Sequence, residues 1–276
     1  MADTDAEDFS MKENGPPFAV LTTDGSNCDK ELAFAFQDSG ADIRIVHINE
    51  LKRGDVQLRD FRGLGLPGGF TYGDVIRAGK LMAKELEVFL ADDMNEFIHR
   101  YKGLVLGICN GFQTAVLSGL FPDAKMGDSQ VALQTNKSGH FQCQWVNVKF
   151  EHQHTCVFLQ NQDGKPISLP IAHGQGNFYA KQEQLARIEN GGGVVLRYCT
   201  PGGETAFPGD PANPNGSLNG IAAVTDLRMG HTLFMMTHPE RAFKLTQIDN
   251  WRRKPKDFIP PGRTIIGNMV LYASEM

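Results

Sequence analysis

The fold is decided by the stretch Gly103–Gln113, which reads GLVLGICNGFQ. An apolar run leads into a cysteine, Cys109, flanked by Gly107 and Gly111, and a sequence able to start a helix follows near Asn110. A buried strand, a tight turn and a helix in this order form a nucleophile elbow, here with cysteine in place of the more familiar serine. Because glycines lack a Cβ atom, strand and helix can approach closely while Cys109 takes a strained backbone conformation at the tip.

A corner of this kind would activate a thiol. The sulfur would lie at the carboxyl end of the sheet, over the amino end of a helix, where the partial positive charge favours the nucleophilic thiolate. The backbone N–H of Asn110 would point at an oxyanion formed on an attacked carbonyl. A small buried residue in a glycine-rich turn is an equally good interpretation of G-x-C-x-G alone, so the corner needs chemical partners elsewhere in the chain.

Two other segments supply candidate partners. In Thr237–Arg241 (THPER), His238 can take a thiol proton and later protonate a leaving amine, and Glu240 can hold the imidazole in the required tautomer. In Leu66–Asp74 (LPGGFTYGD), a strand is followed by glycines, and Gly69 could donate a second N–H to an oxyanion. Each segment alone could be an ordinary loop. All three segments lie at predicted strand ends, where doubly wound sheets bind ligands, and together they favour a catalytic site.

The first half of the chain alternates apolar runs with helical patterns. Strands are predicted where the runs end in glycine turns, and helices where apolar residues recur with helical spacing. This alternation implies an α/β fold: a doubly wound, largely parallel, flavodoxin-like sheet with helices on both faces. The predicted strands are 18–25, 41–48, 61–69 and 103–108, and the predicted helices are 30–40, 74–101 with a break near 79, and one from 110.

After Phe121 the pattern changes to short β-like runs with few helices between them. We expect a short antiparallel extension of the sheet, or a small flanking sheet, from the runs VALQTN, FQCQWVNVKF, TCVFLQ and GVVLRY, and two further strands from GIAAVTD and TLFMMTH. Two polar segments, 171–180 and 200–220, look poorly anchored by apolar residues, and the second has the composition of a long loop. No linker divides the chain, so one domain is predicted over 17–276, after a flexible acidic tail over 1–16.

The composition excludes several classes of protein. With 276 residues, 41% hydrophobic and 21% charged, the chain has an ordinary globular composition. A net charge of −5 argues against a general nucleic-acid-binding protein, which usually has a basic face. No apolar stretch approaches the roughly 18 residues of a membrane span. Five cysteines without a CxxC pair suit a reducing compartment, so a cytoplasmic location is expected.

Six segments spanning nearly the whole chain carry a family resemblance: GSNCD (25–29), PGGFTYGDVIRAG (67–79), GICNGFQ (107–113), PIAHGQGNFYA (170–180), NPNGS (213–217) and HPERAF (238–243). They resemble the class I (triad) glutamine amidotransferases, and within that class the PurQ-type glutaminase subunits of phosphoribosylformylglycinamidine synthase. The resemblance implies that Cys109 attacks the side-chain amide of glutamine and releases ammonia, with His238 as base and acid and Glu240 behind it. Gly69 and Asn110 would supply the oxyanion-hole N–H groups.

The same resemblance implies further contacts and partners. Gly68, Phe70, Gln113 and His173 are expected to bind glutamine, with packing as the alternative for Gln113. His173 is also a candidate for a second catalytic base, and positioning or a subunit contact is the favoured alternative to that role. Ammonia would pass to a PurL-type synthetase that uses ATP to convert formylglycinamide ribonucleotide (FGAR) to the amidine (FGAM) in purine synthesis, and the small protein PurS would bridge the two. No metal or cofactor is expected in this chain, because ATP and magnesium belong to the synthetase.

The chain departs from the family pattern at three positions. Gln175 and Asn177 stand where AHGEGR is the expected form, and Thr237 replaces a proline. None of these changes touches the predicted triad, but the first pair could alter partner contacts. Cys28 is expected to be structural, because no glycine elbow or helix tip is predicted around it. Two other functions stay open on the sequence: a class I amidotransferase serving another synthetase, and a non-catalytic DJ-1-like protein on the same fold.

Overall fold

The computed structural model describes residues 15–160, 162 and 164–276. The acidic tail predicted over residues 1–16 lies outside the described residues, apart from Gly15 and Pro16. The predicted domain boundary at residue 17 therefore stays a prediction.

The core of the molecule is a parallel sheet. Its strands, in order across the sheet, are β2 (Asp42–His47), β1 (Pro17–Thr22), β3 (Gly63–Leu66), β4 (Leu104–Ile108) and β11 (Thr232–Met235), numbered in chain order. Every adjacent pair in this set is parallel. All residues of β3, β4 and β11 are buried, as expected for parallel strands covered on both faces.

The sheet continues beyond β11 with antiparallel strands. They are β10 (Ile221–Val224), β9 (Val194–Tyr198), β6 (Gln142–Phe150) and β7 (Ile167–His173), in that order. A separate antiparallel pair is formed by β5 (Val131–Thr135) and β8 (Gln175–Ala180). The predicted fold, a parallel sheet with an antiparallel extension, is confirmed, and the extension and the flanking sheet occur together.

The helices are α1 (Asp29–Asp38), α2 (Ile48–Arg53), α3 (Lys80–Phe89), α4 (Ala91–His99), α5 (Asn110–Leu117), α6 (Leu120–Asp123), α7 (Gln182–Asn190) and α8 (Pro261–Ser274). The helix predicted over 74–101 is thus two helices. Residues 75–79 are not helical, so α3 begins only after Gly79, which has a left-handed φ of 74°, and the break inside the helical stretch falls at Leu90. Within the described residues, none of the helices is long and apolar enough to cross a membrane.

Helices cover both faces of β3. A Cβ atom placed on Gly65 would lie 2.8 Å from Leu32 of α1. A Cβ atom placed on Gly111 of α5 would lie 2.8 Å from the Cβ of Leu66. Because successive residues of a strand point to opposite faces, α1 and α5 lie on opposite sides of the sheet. The predicted doubly wound arrangement is therefore confirmed.

The strand predicted at 155–160 is wrong. The segment contains a 3-10 helix over Val157–Leu159. The N–H of Thr155 donates to the carbonyl of Gly192, and the N–H of Val157 donates to that of Gly230. These backbone groups are thus bound to neighbouring loops instead of to a strand.

The segment 171–180 is also not poorly anchored, because it belongs to β7 and β8. Ile171 and His173 of β7 and Phe178 and Ala180 of β8 are buried, with an exposed or half-buried residue between the members of each pair. This is the period of two expected of a strand with one face inward. The apolar content of the segment is low because a histidine and small residues share its buried positions.

The segment 200–220 has the predicted loop character up to a 3-10 helix at Leu218–Gly220, but polar side chains anchor it. Asn213, Asn215 and Ser217 are buried. The Asn215 amide donates to the hydroxyl of Tyr198 at 3.0 Å and to the Gly176 carbonyl at 2.8 Å. Buried amides that satisfy backbone carbonyls hold a loop as firmly as apolar side chains do, which a count of apolar residues misses.

Candidate active site

The cysteine predicted at the tip of the elbow lies between β4 and α5 with φ of 52° and ψ of −102°. A Cβ atom on Gly111 would lie 2.0 Å from the carbonyl oxygen of Leu66, so only glycine allows this approach of helix to strand. Positive φ is costly for a residue with a side chain and persists where the surrounding structure imposes it. The strained strand–helix corner predicted at Cys109 is confirmed, and its role as a nucleophile stays a prediction.

The sulfur of Cys109 is nearly buried. The residue is 5% exposed, and its Sγ lies 3.6 Å from the carbonyl oxygen of Ala172 in β7. Asn110 is the first residue of α5, so its N–H belongs to the free amino end of that helix. The thiol therefore faces β7 across a narrow space, next to unpaired helix N–H groups.

His238 and Glu240 form a buried pair beside this thiol. Both follow β11, which is the parallel neighbour of β4, so the pair emerges at the same edge of the sheet as Cys109. The Nδ1 of His238 lies 2.5 Å from Oε1 of Glu240. Within the described residues, His238 Nε2 is buried without a hydrogen-bond partner. The imidazole is thus held at one nitrogen and free at the other.

Charge at the pair favours the protonated imidazole. Burial by itself disfavours the charged form of His238, but the Glu240 carboxylate and the nearby thiols of Cys109 and Cys28 hold the pKa of His238 well above its usual range. A carboxylate at 2.5 Å outweighs the desolvation of the ring. We therefore expect His238 to carry a proton at neutral pH.

The glycine-rich loop after β3 packs directly on this pair. A Cβ atom on Gly68 would lie 2.8 Å from Cε1 of His238, so Gly68 makes room for the imidazole and is not among the residues lining the cavity. The Gly68 carbonyl accepts from the N–H of Cys28 at 3.2 Å, and the N–H of Phe70 donates to Gly25 at 3.0 Å. These bonds on either side fix Gly69, whose φ of 142° requires glycine.

A cavity of about 200 Å³ opens beside the sulfur. It brings together five of the residues predicted for the site: Gly69, Phe70, Cys109, Gln113 and His173. The rest of the lining is Asp74, Ala78, Phe141, Ala172, Gly174 and Gln175. Cys109 and the glycine loop therefore meet at one small cavity at the carboxyl edge of the parallel strands, whereas His238 and Glu240 are not among the lining residues.

A family model described as the CobB/CobQ-like glutamine amidotransferase domain matches residues 15–273. The chain belongs to this family. It is 35% identical over 257 residues to the phosphoribosylformylglycinamidine synthase subunit PurQ of Dehalococcoides mccartyi, covering 93% of this chain and 97% of that protein. It is 37% identical over 258 residues to the PurQ of Methanococcus maripaludis strain C5, covering 92% and 93%.

Among solved structures, the amidotransferase is similar to a chain of the structure of PurLQS from Thermotoga maritima. The TM-score is 0.68 at 27% sequence identity, and the match covers 94% of this chain and 99% of that one. The fold inferred from the strand order is thus also the fold of a relative.

The Gln113 side chain of the amidotransferase lines the cavity, but its polar atoms are engaged. Its Oε1 accepts from Asn110 Nδ2 at 3.0 Å, and its Nε2 donates to the Gln175 carbonyl at 2.6 Å. Gln113 therefore ties α5 to β8 across one side of the cavity. These bonds support the packing alternative for Gln113, and a direct glutamine contact stays a prediction.

His173 lies in the cavity wall as a neutral ring. Burial, with the nearby charge of His238, lowers the pKa of His173 to about 3. Its Nδ1 lies 3.1 Å from Oδ1 of Asn136, and within the described residues its Nε2 is buried without a partner. A ring that stays neutral and is held by an amide is suited to positioning rather than to proton transfer near neutral pH.

Several residues at the site are absent from the sequence predictions. Asp74 and Phe141 line the cavity, and the Phe141 ring stacks on Phe70 with centroids 6.4 Å apart. A signal for Asp74 exists, because it is the one charge in the motif FTYGD. Asn136, which holds His173, precedes β6, and nothing local in the sequence links it to the elbow.

The predicted surroundings of Cys28 are wrong. Cys28 is the N-cap residue of α1, so it does lie at a helix tip, and it is buried. Its sulfur accepts from Nη2 of Arg241 at 2.9 Å. The error arises because α1 begins at Asp29, one residue before the predicted start of the helix, so that Cys28 caps it.

One group of side chains in the described part of the chain could hold a metal ion. Ligand atoms of Cys28, His238 and Glu240 lie within 4.8 Å of one another. Glu240 already accepts a hydrogen bond from His238, however, and a metal there would displace it. The positions of these three side chains fit a hydrogen-bonded His238–Glu240 pair at least as well as a metal site. The expected absence of a metal stays a prediction.

Proposed function

We propose that the chain is the glutaminase subunit of phosphoribosylformylglycinamidine synthase and that Cys109, His238 and Glu240 are its catalytic triad. One observation carries the proposal: a cysteine at a strained strand–helix corner shares a buried site with a tightly paired His–Glu. The names of the relatives at 35% and 37% identity and the PurLQS structure support the placement within the family.

The reaction begins with attack of the Cys109 sulfur on the side-chain carbonyl carbon of glutamine. The C–N bond breaks as His238 gives its proton to the leaving nitrogen, so that ammonia departs and a γ-glutamyl thioester remains. His238 then takes a proton from water, the resulting hydroxide attacks the thioester, and glutamate leaves with the sulfur restored as thiolate. The raised pKa of His238 supports this role, because the imidazole starts with the proton that the first step requires.

The oxyanion of both tetrahedral intermediates would be held by the N–H groups of Gly69 and Asn110. The Asn110 N–H lies at the free amino end of α5, where partial positive charge favours an anion. Gly69 lines the cavity, and its backbone is fixed on both sides by the bonds of Gly68 and Phe70. Each such donor contributes roughly 10²–10³ in rate.

The ammonia would pass to a PurL-type synthetase, with PurS in the same assembly, for conversion of FGAR to FGAM in purine biosynthesis. The solved PurLQS assembly contains a chain similar to this one, which supports these partners. ATP and magnesium would be bound by the synthetase and not by this chain. A cytoplasmic location fits the five cysteines, all of which are free in the structure.

Cys109→Ala in the complex with the synthetase tests the proposal. Glutamine-dependent FGAM formation should fall below detection, while FGAM formation with added ammonium salt should persist, because only the ammonia source is lost. Cys143→Ala is the matched control, since Cys143 is exposed on β6.

Three outcomes would contradict the proposal. Loss of ammonium-dependent activity in an assembled Cys109→Ala complex would contradict the division of labour between the subunits. A wild-type complex that releases ammonia from glutamine but forms no FGAM would favour an amidotransferase serving another synthetase. Absence of glutamine hydrolysis by the wild-type complex would favour the non-catalytic alternative.

A further inference from the structure

Glutamine carries two charged groups, and the cavity lining contains a side chain of opposite charge for one of them. At neutral pH the substrate carries an α-ammonium and an α-carboxylate beside its neutral amide. Asp74 is the one acidic side chain in the lining. His173 also lines the cavity, but its ring is neutral because its pKa is lowered. An amino acid bound here would therefore meet a single fixed negative charge.

The Asp74 carboxylate is held in place but has no cationic partner. Its Oδ1 accepts from Nδ2 of Asn110 at 3.2 Å, and the nearby backbone of Gly79 lowers the pKa of the carboxyl group. Among the residues that the structure describes, no Lys, Arg or His nitrogen lies within 4 Å of it. Half-burial raises the pKa of the Asp74 carboxyl, against the effect of these two groups. The charge is thus partly desolvated and uncompensated.

The backbone of the loop holds Asp74 in this place at some cost. Its φ is 52°, in the left-handed region that few residues with a side chain adopt. Tyr72 and Gly73, the two residues before it, have φ values of 54° and 66°. Three successive residues with positive φ turn the chain so that Asp74 lies at the cavity while Val75 and Ile76 are exposed to solvent.

The link from Asp74 to the reacting sulfur is short. Asn110 follows Cys109 directly, and its side chain joins Asp74 to Gln113 through Nδ2 and to the Thr71 hydroxyl through Oδ1, at 2.7 Å. The same residue whose N–H is proposed for the oxyanion hole thus positions the carboxylate. This network would fix the distance between the atom that is attacked and a group bound at Asp74.

We propose that Asp74 binds the α-ammonium group of glutamine and thereby selects an α-amino acid as substrate. The inference rests on the proposed glutaminase function and adds the residue that recognises the substrate's positive charge. A carboxylate that is partly buried and unpaired forms a charge-assisted hydrogen bond with an ammonium group, which is stronger than a bond between neutral groups. The contact also gives the Asp74 carboxylate the cationic partner that the described residues do not supply.

The test compares glutamine with its analogue lacking the α-amino group, 5-amino-5-oxopentanoate, in the complex with the synthetase. Asp74→Asn retains the shape and the acceptor for Asn110, and asparagine tolerates positive φ. The variant should raise the KM for glutamine about 10- to 100-fold, with little change in kcat. The wild type should prefer glutamine to the analogue by a similar factor, and the variant should lose most of this preference. Asp92→Asn, on the exposed face of α4, is the matched control.

A second measurement separates recognition from hydrolysis. A chloroketone analogue of glutamine should alkylate Cys109 in the wild type faster than the same reagent without its amino group, and Asp74→Asn should remove the difference. This rate also reports that the Cys109 site of the variant is intact.

The outcomes are distinguishable. A wild type that hydrolyses no glutamine would overturn the proposed function and this inference with it. A wild type that hydrolyses glutamine, together with an Asp74→Asn variant that still prefers the amino substrate by the wild-type factor, would overturn this inference alone. An equal fall in kcat for glutamine and for the analogue would also overturn this inference, because Asp74 would then act on the released ammonia or on the shape of the loop and not on the α-ammonium group.

Discussion

The parallel and antiparallel halves of the sheet both border the cavity, but they fix their side chains by different means. In the parallel half, the carboxyl ends of β4 and β11 place Cys109 and His238, and the loop after β3 places Gly68 against the imidazole. The positions follow from strand register and from glycines that allow close approach. The reacting groups are therefore fixed by the backbone.

In the antiparallel half, taken here with the separate pair β5–β8 and the loop 200–220, polar side chains fix the wall of the cavity. Asn136 holds His173 through both its ring and its backbone carbonyl, and Asn215 bonds the carbonyl of Gly176 in β8. Ser217 accepts from the N–H of Phe178. Each bond joins residues far apart in the chain. The comparison predicts that changes in the parallel half alter the reaction, while changes in the antiparallel half mainly alter stability.

The largest effect in this comparison is expected from Glu240→Gln. The neutral amide removes the attraction that raises the pKa of His238, so burial lowers that pKa and the imidazole loses its proton at neutral pH. We expect kcat for glutamine hydrolysis to fall about 10³-fold, in the range of a lost general acid. The alkaline limb of the pH–rate profile should move to lower pH. Glu96→Gln on the exposed surface of α4 is the control.

The same substitution should change the pH dependence of stability. Because the folded protein holds the His238 proton more tightly than the unfolded chain, this stabilisation is present below the ordinary histidine pKa of about 6.5 and is lost as the pH rises through the raised folded-state value. The free energy of unfolding of the wild type and the variant, determined at several pH values, measures this stabilisation. If the alkaline limb of the pH–rate profile lies at the same pH in Glu240→Gln as in the wild type, the carboxylate does not control the pKa of His238.

A smaller effect on the reaction is expected from Gly68→Ala. The new Cβ atom would lie 2.8 Å from Cε1 of His238, so the imidazole must move by a few tenths of an ångström or more. Displacement of a catalytic group by about 1 Å lowers rates about 10²-fold, so a fall in kcat approaching that factor is expected in the glutaminase assay. Gly267→Ala is the control, because a Cβ there would lie 4.0 Å from its nearest neighbour. Equal activity of the two variants would show that the loop yields freely.

The sequence predicts the parallel half well because its signals are local. The elbow at Cys109 occupies a few consecutive residues, and His238 and Glu240 lie two positions apart. The cavity wall is different, since His173 acquires its partner Asn136 only when β5 pairs with β8, and Phe141 meets Phe70 only in the folded chain. Long-range pairing of polar residues leaves no periodic pattern in a single sequence.

Asn213→Ala, in the antiparallel half, is expected to have the smallest effect on the reaction. It should nevertheless lower the stability clearly. The buried Asn213 amide donates to the carbonyls of Ala206 and Ser217 at 3.2 and 2.9 Å, and its oxygen accepts from the N–H groups of Gly216 and Ser217 at 3.1 Å. Truncation removes these four hydrogen bonds, although the Gly216 N–H, the Ser217 N–H and the Ser217 carbonyl each keep a second partner, so we expect a cost of about 2 kcal/mol. We expect the melting temperature to fall by about 6 °C.

The kinetic result decides whether the two halves act separately. In the intact complex at 25 °C, kcat/KM of Asn213→Ala for glutamine should stay within about threefold of the wild type, because the backbone of the parallel half keeps Cys109 and His238 in register. Asn49→Ala, an exposed position in α2, should change neither quantity. A fall of kcat/KM comparable to that of Gly68→Ala would mean that the loop 200–220 positions the reacting groups through β8. The amide network would then belong to the catalytic site, and the division between a backbone-fixed centre and an amide-fixed wall would not hold.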